Sequence, residues 1–363
     1  MKILQMCNYA AKYRGNFIES LEYFRKNSLG DGDSMLYAFP ERMAERRNQW
    51  YFDLKKEVPA AIYKSSVKEK IRAFRKIIKE NGVDTVHTHF TDMKTDMCVN
   101  IACLGLRVKK FKHYRSSFGS FGTIKKFFAR LCYRSWNAVI CVSPHIMQEA
   151  ESNIVSCKPV LLNDAVYFPR MDNYEKLCKP DLGVPESAVL CFAIGYDYRL
   201  KGIDLACEAV KKLRDEGQNI YLAVCTASNT QTIAEQIRAQ FGEFPEWLKL
   251  LPPRQDIASY YRAADIYIQA SRSEGFCYAI VEAAYCGKTV VASDCPGMKS
   301  HAEKNFDFLW FKNGDSDSLS EKLGQAVKMS ESSELSSKNR RAAIDNYSIE
   351  NMSKKLYRIY ADM

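Results

Sequence analysis

The chain has 363 residues, of which 47% are hydrophobic and 26% charged, a composition typical of a globular protein with room for two domains. No apolar run approaches the roughly 18 residues of a membrane-spanning helix, and the N-terminal run is too short for a secretory signal, so we expect a cytoplasmic protein. Thirteen cysteines without a Cys-x-x-Cys pair predict neither a disulfide framework nor a zinc site.

The positive charge is concentrated in the first half of the chain. The formal net charge is +10, and residues 1–165 carry +12 while the remainder carries −2. A basic surface of this kind suits an anionic membrane, nucleic acid or an acidic substrate, and charge alone does not choose among them.

Strand-like and helical patterns alternate through the first half, which predicts an α/β domain. Ile3 to Cys7 is the first predicted strand, and Gly15 in the loop after it would let a ligand approach the backbone closely. Asp31 and Asp33 have the Asp-x-Asp spacing of some metal sites, but the glycine before them and the apolar run after them favour a turn before the second strand.

Three histidines lie at the ends of two later strands. His87 and His89 end the predicted strand Val83 to Phe90, and His113 ends the next one. Two histidines at i and i+2 of a strand point to one face, so a metal site is one interpretation and a metal-free lining of a cleft is another.

The segment Phe118 to Trp136 is predicted to contain an amphipathic helix. Its apolar face consists of Ile124, Phe127, Phe128 and Leu131. The basic residues at the edges of that face are Lys125, Lys126, Arg130 and Arg134. Such a helix either packs on its own domain or lies in a membrane interface, and the positive charge of this half favours membrane contact.

In the second half, two glutamates stand eight residues apart across a glycine. Ala264 to Ala270 reads as a buried strand, Glu274 follows it in a loop, and Glu282 lies in a helix that starts near Tyr278. The loop residues before this helix are Gly275, Phe276, Cys277 and Tyr278. Free N–H groups at a helix N-terminus can bind phosphate, while the two carboxylates accept hydrogen bonds from hydroxyls.

The stretch Ser271 to Gly297 resembles the E-x7-E motif of retaining GT-B glycosyltransferases of family 4. In that family the first glutamate meets the hydroxyls of the donor sugar and the second meets the nucleotide ribose, so the resemblance gives those roles to Glu274 and Glu282. It implies an α/β fold of two doubly wound Rossmann-like domains facing a cleft. The boundaries we expect are 1–165 for the acceptor-side domain, 166–187 for a linker, 188–345 for the nucleotide-sugar domain and 346–363 for a helix crossing back to the first domain.

The loop after the first strand of the second domain resembles the family's G-R-x4-K-G pattern. Gly195, Lys201 and Gly202 match in spacing, and Tyr196 stands where the family has an arginine. We expect Arg199 to supply the missing guanidinium. The two cations would then neutralise the donor diphosphate without a metal.

The resemblance assigns further roles to residues outside this loop and the motif. His113 matches the active-site histidine that hydrogen-bonds the donor sugar, and Gly15 matches the loop that covers the donor phosphates. Arg254 lies where the family recognises the base, and residues 275–278 belong to the donor-binding loop. His87 and His89 resemble the family's D-x-V-H-x-H strand end, which lines the acceptor side of the cleft without a metal.

The function implied is retaining transfer of a sugar from a nucleotide sugar, with UDP favoured over GDP, to a saccharide acceptor. We expect the acceptor to be polyprenyl-linked, the pathway to build a cell-surface polysaccharide, and the protein to touch the anionic inner face of the plasma membrane. No cofactor or metal is expected. A sugar-nucleotide epimerase of the same fold is the alternative; a nucleic-acid-binding protein is a weaker one, because no recognition motif accompanies the charge.

Overall fold

A computed structural model describes residues 1–154, 156–226, 229–329 and 333–363. The packing of the chain divides it into two compact units. The first unit consists of Met1–Ala165 and Ile349–Met363, and the second of Val166–Ser348. Among the described residues, none of the helices has the length and apolar character needed to cross a membrane.

The first unit is built on a sheet of seven parallel strands in the order β3-β2-β1-β4-β5-β6-β7. Its central strands are almost wholly buried, as expected for a parallel sheet with helices on both faces. The strands are β1 (Lys2–Cys7), β2 (Ser34–Pro40), β3 (Ala60–Tyr63), β4 (Thr85–His89), β5 (Lys109–Tyr114), β6 (Ala138–Cys141) and β7 (Pro159–Leu161). The short edge strands β3 and β7 carry no strand prediction from the sequence.

Among the described residues, seven helices lie between the strands of this unit. They are α1 (Asn16–Asn27), α2 (Arg42–Glu45), α3 (Gln49–Glu57), α4 (Val67–Glu80), α5 (Met93–Ala102), α6 (Thr123–Tyr133) and α7 (Pro144–Asn153). Side-chain caps fix three of their starts: Ser66, Asp92 and Ser143 each accept a hydrogen bond from a first-turn N–H of the helix that follows.

The second unit has six parallel strands in the order β10-β9-β8-β11-β12-β13. They are β8 (Val189–Ile194), β9 (Ile220–Cys225), β10 (Leu248–Leu251), β11 (Ile266–Gln269), β12 (Thr289–Ser293) and β13 (Leu309–Phe311). The sequence pattern also predicts a strand from Tyr221 to Ser228, of which residues 227 and 228 lie outside the described residues. A buried apolar core joins this sheet to its helices.

The helices of the second unit begin soon after the chain enters it. They are α8 (Pro169–Asp172), α9 (Ile203–Asp215), α10 (Thr230–Phe241), α11 (Ala258–Ala263), α12 (Tyr278–Tyr285), α13 (Pro296–Lys299), α14 (Ser316–Met329) and α15 (Ser333–Tyr347). Helix α12 stops before Gly287, whose φ of +75° is the left-handed conformation that favours glycine.

A last helix, α16 (Ile349–Asp362), belongs to the first unit. Its Tyr360 is fully buried, and the Tyr360 hydroxyl accepts a hydrogen bond of 3.2 Å from Gln5 Nε2 on β1. The two places where the chain passes between units adjoin each other, because Val166 pairs with Ser348 in an isolated β-bridge. The Val166 N–H also donates to the Tyr347 carbonyl at 3.1 Å.

The strand orders confirm the predicted doubly wound α/β architecture in both units. In such sheets ligands bind beyond the carboxyl ends of the strands, at the point where the strand order reverses. That point lies between β1 and β4 in the first unit and between β8 and β11 in the second. The loops after β8 and β11 are those that carry the candidate lysine and glutamate.

Candidate functional site

The loops after β8 and β11 meet through an ion pair. Lys201 Nζ donates a hydrogen bond of 2.7 Å to Glu274 Oε1, and both side chains are largely buried. Burial alone would lower the pKa of Lys201, but the Glu274 carboxylate outweighs it and raises that pKa. Gly202 allows this approach, since its φ is +65° and a Cβ there would lie 1.9 Å from the Ala270 carbonyl oxygen.

A buried chain of hydrogen bonds anchors Glu274 from inside the sheet. Tyr267 Oη donates to Gln269 Oε1 at 2.6 Å, and Gln269 Nε2 donates to Glu274 Oε1 at 3.1 Å and to Ser271 Oγ at 2.7 Å. Glu274 Oε2 makes no hydrogen bond to any described residue, so this oxygen can accept one from a ligand. Sequence analysis missed Gln269; its signal is a polar residue at the end of an otherwise apolar buried strand.

The loop before α12 presents backbone donors. Within the described parts of the chain, the N–H groups of Gly275, Phe276 and Cys277 donate to no other residue. Cys277 holds a left-handed φ of +70°, and the helix begins at the next residue, Tyr278. Successive unused N–H groups at a helix N-terminus are suited to binding an anion such as phosphate.

A buried histidine supports this loop from behind. His301 Nε2 lies 2.6 Å from the Phe276 carbonyl oxygen, and the Tyr347 hydroxyl lies 2.7 Å from His301 Nδ1. Burial lowers the pKa of His301 to about 4, so the ring is neutral at pH 7. Nearby, a Cβ at Gly297 would lie 1.8 Å from the Glu274 carbonyl oxygen, so glycine is required there. The sequence offered no signal that selected His301.

The second glutamate of the motif is also held by a tyrosine. Glu282 is buried on α12, and Tyr261 Oη donates to its Oε2 at 3.1 Å. Arg170 Nη1 lies 3.8 Å from Glu282 Oε1. The rings of Tyr261 and Tyr267 pack together at a centroid distance of 5.2 Å, so two adjacent tyrosines hold Glu282 directly and Glu274 through Gln269.

Arg199 points outward from its loop. Its side chain is 72% exposed, and its Nη1 pairs with Asp204 Oδ2 at 2.7 Å. Arg272 also binds Asp204, through both carboxylate oxygens at 2.8 Å. Asp204 would therefore keep a cationic partner if Arg199 turned toward a ligand. The ring of Tyr196, which stands at the family's arginine position, lies 5.0 Å from Lys201 Nζ.

Arg254 is tied into a cluster of carboxylates. Its Nε donates to Asp256 Oδ1 at 2.9 Å, and its Nη2 pairs with Glu175. Hydrogen bonds to these two carboxylates raise the pKa of Arg254. The Arg254 guanidinium also lies over the ring of Tyr260, 5.5 Å from its centroid. These contacts fix the turn after β10, where a base-binding role was predicted.

The remaining predicted residues, Gly15 and His113, lie in the first unit. Gly15 directly precedes α1, and a Cβ there would lie 3.0 Å from the Tyr9 hydroxyl, closer than side chains normally allow. His113 lies on β5 beside His89 of β4 and is almost completely buried. Gly15 thus lies at the end of the loop that follows β1, and His113 lies near the carboxyl end of β5.

His87, His89 and His113 form one buried cluster. Their ring centroids are 4.0 to 5.4 Å apart, and one nitrogen of each ring lies within 4.8 Å of the others. Among the described residues, this is the one group of three or more candidate metal ligands. His87 Nε2, His89 Nδ1 and His113 Nε2 are buried without a hydrogen-bond partner in the described part of the chain.

The hydrogen bonds of the cluster limit its fit to a metal. His89 Nε2 lies 2.8 Å from the side-chain oxygen Oε1 of Gln5, which can only accept, so Nε2 carries the proton and Nδ1 has a free lone pair. Arg115 can only donate and lies 3.4 Å from His113 Nδ1, so the proton of His113 is on Nε2. Burial and the charges of Arg115 and Lys112 lower the pKa of all three histidines. Lys112 and Arg115 are themselves paired with Asp96 and Asp164, and metal-free action stays a prediction.

A protein-family model matches most of the second unit. Residues 178–346, within the second unit, match the family model described as Glycosyl transferases group 1. A Campylobacter jejuni relative, N,N'-diacetylbacillosaminyl-diphospho-undecaprenol alpha-1,3-N-acetylgalactosaminyltransferase, is 38% identical over 73 residues, which cover 20% of this chain and 19% of the relative. A D-inositol 3-phosphate glycosyltransferase from Corynebacterium kroppenstedtii is 31% identical over 140 residues, covering 36% of this chain and 31% of the relative. The chain thus spans about a fifth to a third of the length of these two relatives.

Solved structures extend the likeness over the whole chain. A glycosyltransferase from Rickettsia africae superimposes with a TM-score of 0.81 at 18% identity, covering 100% of this chain and 99% of that one. Alr3699/HepE from Anabaena, in complex with UDP, superimposes with a TM-score of 0.78 at 14% identity and covers 100% of both chains. These similarities confirm the predicted GT-B fold.

Proposed function

We propose that the protein is a retaining glycosyltransferase that uses a UDP-sugar, and the match of residues 178–346 to the Glycosyl transferases group 1 family model supports this proposal. The acceptor we propose is a lipid-linked saccharide, and the product a cell-surface polysaccharide or glycan. No cofactor or metal is required in this proposal, because cationic side chains and backbone N–H groups serve the diphosphate.

One observation carries the proposal: the Lys201–Glu274 pair stands at the switch point of the second sheet, next to the unused N–H groups of residues 275–277. A cation and three backbone donors suit a diphosphate. A carboxylate with one free oxygen suits a sugar hydroxyl. A nucleotide sugar offers both groups a few ångströms apart, so this single class of ligand satisfies the site.

The proposed reaction breaks the bond between the anomeric carbon and the diphosphate oxygen and forms a bond from the same carbon to the acceptor oxygen. Lys201 and the loop N–H groups stabilise the charge that develops on the departing diphosphate. Glu274 orients the sugar through a hydroxyl, and Glu282 binds the ribose. The acceptor hydroxyl attacks on the face that the diphosphate leaves, and its proton passes to the departing phosphate oxygen, so the configuration is retained.

Helix α6 supports the membrane part of the proposal. The four side chains of its predicted apolar face are between 44% and 76% exposed, which is unusual for large apolar residues; they are Ile124, Phe127, Phe128 and Leu131. Basic residues flank them, and Lys125 lies over the ring of Phe121 at 3.8 Å. An exposed apolar face bordered by cations matches an anionic bilayer surface, where a lipid-linked acceptor would be found.

The names of similar proteins agree with these ligands. The Campylobacter relative is named for transfer to an undecaprenol diphosphate acceptor, and the Anabaena structure contains UDP. Nothing in the comparisons favours the alternative of a sugar-nucleotide epimerase.

The test begins with calorimetric titration of UDP, GDP and ADP into the protein, in the presence and absence of EDTA. We expect UDP to bind most tightly, with the same affinity in EDTA. The protein is then incubated with UDP-sugars, with and without polyprenyl-diphosphate saccharides in anionic vesicles. Transfer with an unchanged anomeric configuration by NMR supports the proposal; a changed sugar released without acceptor supports an epimerase instead.

A further inference from the structure

A chain of two hydrogen bonds runs behind the loop that joins the two glutamates. It consists of the Tyr347 hydroxyl, the His301 ring and the Phe276 carbonyl, with distances of 2.7 and 2.6 Å. All three side chains are buried, and their ring centroids are 5.1 Å apart in each pair, with Phe276 and Tyr347 packed edge to face. The two hydrogen bonds therefore lie in a buried, closely packed environment where a hydrogen bond is strong and an unpaired group is costly.

The acceptor and donor roles in this chain are fixed by chemistry. A carbonyl oxygen can only accept, so His301 Nε2 carries a proton and donates it to Phe276. The ring is neutral, so its Nδ1 is a lone pair that accepts from the Tyr347 hydroxyl. Each group thus has one partner of the correct kind, and the ring has one tautomer and one orientation.

Fixing the Phe276 carbonyl also fixes the N–H of the next residue. In a trans peptide the C=O of residue 276 and the N–H of residue 277 point in opposite directions. Because His301 holds the carbonyl on the buried side, the Cys277 N–H is directed to the other side, where it has no partner within the described residues. The left-handed φ of Cys277 is an unfavourable conformation for a side-chain-bearing residue, and this bond helps to hold it.

We infer that His301 is a positioning residue for the proposed donor site, where it orients the Phe276–Cys277 peptide so that its N–H meets the donor diphosphate. Tyr347 acts one step further back by setting the tautomer of His301. The inference rests on the proposed function, because it gives the oriented N–H a phosphate to bind.

Substitution of His301 by glutamine or asparagine tests the roles of the two ring nitrogens one at a time. In His301→Gln the side-chain amide reaches the place of Nε2 and can still donate to the Phe276 carbonyl. In His301→Asn the amide reaches only the place of Nδ1, and the carbonyl is left unpaired. We expect the Asn variant to bind UDP roughly tenfold more weakly and the Gln variant to keep most of the affinity. Tyr347→Phe, which leaves the packing in place, should fall between them.

The measurements are the Kd for UDP by calorimetry, KM and kcat for transfer, and amide hydrogen exchange of residues 275–277 at saturating UDP. The Asn variant should raise the Kd and the KM for the donor more than it lowers kcat, and should reduce the protection that UDP gives to these amides while exchange in β8 is unchanged. His145→Gln, at a partly exposed histidine of α7, is the control and should alter none of these.

The outcomes distinguish this inference from the proposed function. If the wild-type protein binds no nucleotide, the proposed function fails and the inference falls with it. If the wild type binds UDP and the folded Asn variant binds it equally well, with unchanged loop exchange, the inference alone is overturned. Equal loss in the Asn and Gln variants would assign His301 a packing role and would overturn it too.

Discussion

Lys201 Nζ and Glu274 Oε1 are 2.7 Å apart and form an ion pair. In our proposal Lys201 binds the donor diphosphate and Glu274 binds the donor sugar. A diphosphate that binds Lys201 must compete with Glu274 for it. Glu274 keeps Gln269 as a second partner on the same oxygen, so the carboxylate stays in place when the lysine is shared.

Replacing Lys201 with methionine should lower kcat for transfer by roughly 10²- to 10³-fold, because the variant loses a charge that stabilises the departing diphosphate. Initial rates at saturating UDP-sugar measure this. The control is Lys211→Met, which breaks a surface ion pair with Asp215 on α9 and should leave the rate unchanged. Equal rates for the Lys201 variant and the wild type would remove Lys201 from the reaction.

Gly297→Ala should disrupt the site by displacing backbone. An added Cβ would lie 1.8 Å from the Glu274 carbonyl oxygen, so the loop after β11 must shift. We expect the free energy of unfolding to fall by about 1–3 kcal/mol, and UDP binding to be lost as well. Thermal unfolding and calorimetry measure the two effects. Gly324→Ala is the matched control: an added Cβ there has room, with Leu213 at 3.7 Å, and alanine should stabilise helix α14 by up to about 1 kcal/mol. A Gly297 variant as stable as wild type would contradict the close contact.

Polar substitutions on the exposed face of α6 should leave the fold intact. Ile124→Gln with Phe127→Gln should reduce binding to anionic vesicles about tenfold or more while leaving the melting temperature almost unchanged, since these side chains are 76% and 64% exposed. Sedimentation with vesicles of increasing phosphatidylserine content measures the binding. The wild type should bind less at high salt, because the flanking cations contribute. If the double variant sediments as well as the wild type, α6 is not the membrane contact.

The buried neutral ring of His301 should make stability depend on pH. Burial lowers the pKa of His301 from 6.5 to about 4, so its contribution to stability is fully present above pH 6.5 and is lost as pH falls toward 4. This loss amounts to about 3 kcal/mol over the whole window, because the unfolded chain takes up the proton first. The melting temperature of wild type should therefore exceed that of His301→Gln by less at pH 5 than at pH 7. A difference that does not change with pH would contradict a neutral buried ring.

The sequence predicts those buried strands whose residues form a continuous apolar run along the chain. The strands predicted from Ile3 to Cys7 and from Ala264 to Ala270 correspond to β1 (Lys2–Cys7) and β11 (Ile266–Gln269). Strand β3 was not predicted, because four residues at a sheet edge give too short a pattern, and pairing with β2 decides their conformation.

The residues of the candidate site also include some that the sequence pattern indicates and some that it does not. Glu274 and Lys201 could be proposed from the sequence because a short spacing and a loop pattern single them out. Gln269 and His301 could not, because each acts through a partner that only tertiary packing brings near. His301 reaches a carbonyl 25 residues earlier and a hydroxyl 46 residues later, and no local pattern records such a contact.

The bridge between Val166 and Ser348 has a consequence for synthesis of the protein. Since the chain enters and leaves the second unit at adjoining points, this unit is a continuous insertion that can fold without α16. The first unit cannot, because Tyr360 of α16 fills a place between β1, β4 and β5 that stays open until α16 has been made. We therefore expect the first unit, whose strands are made first, to complete its fold only after α16 has followed the second unit.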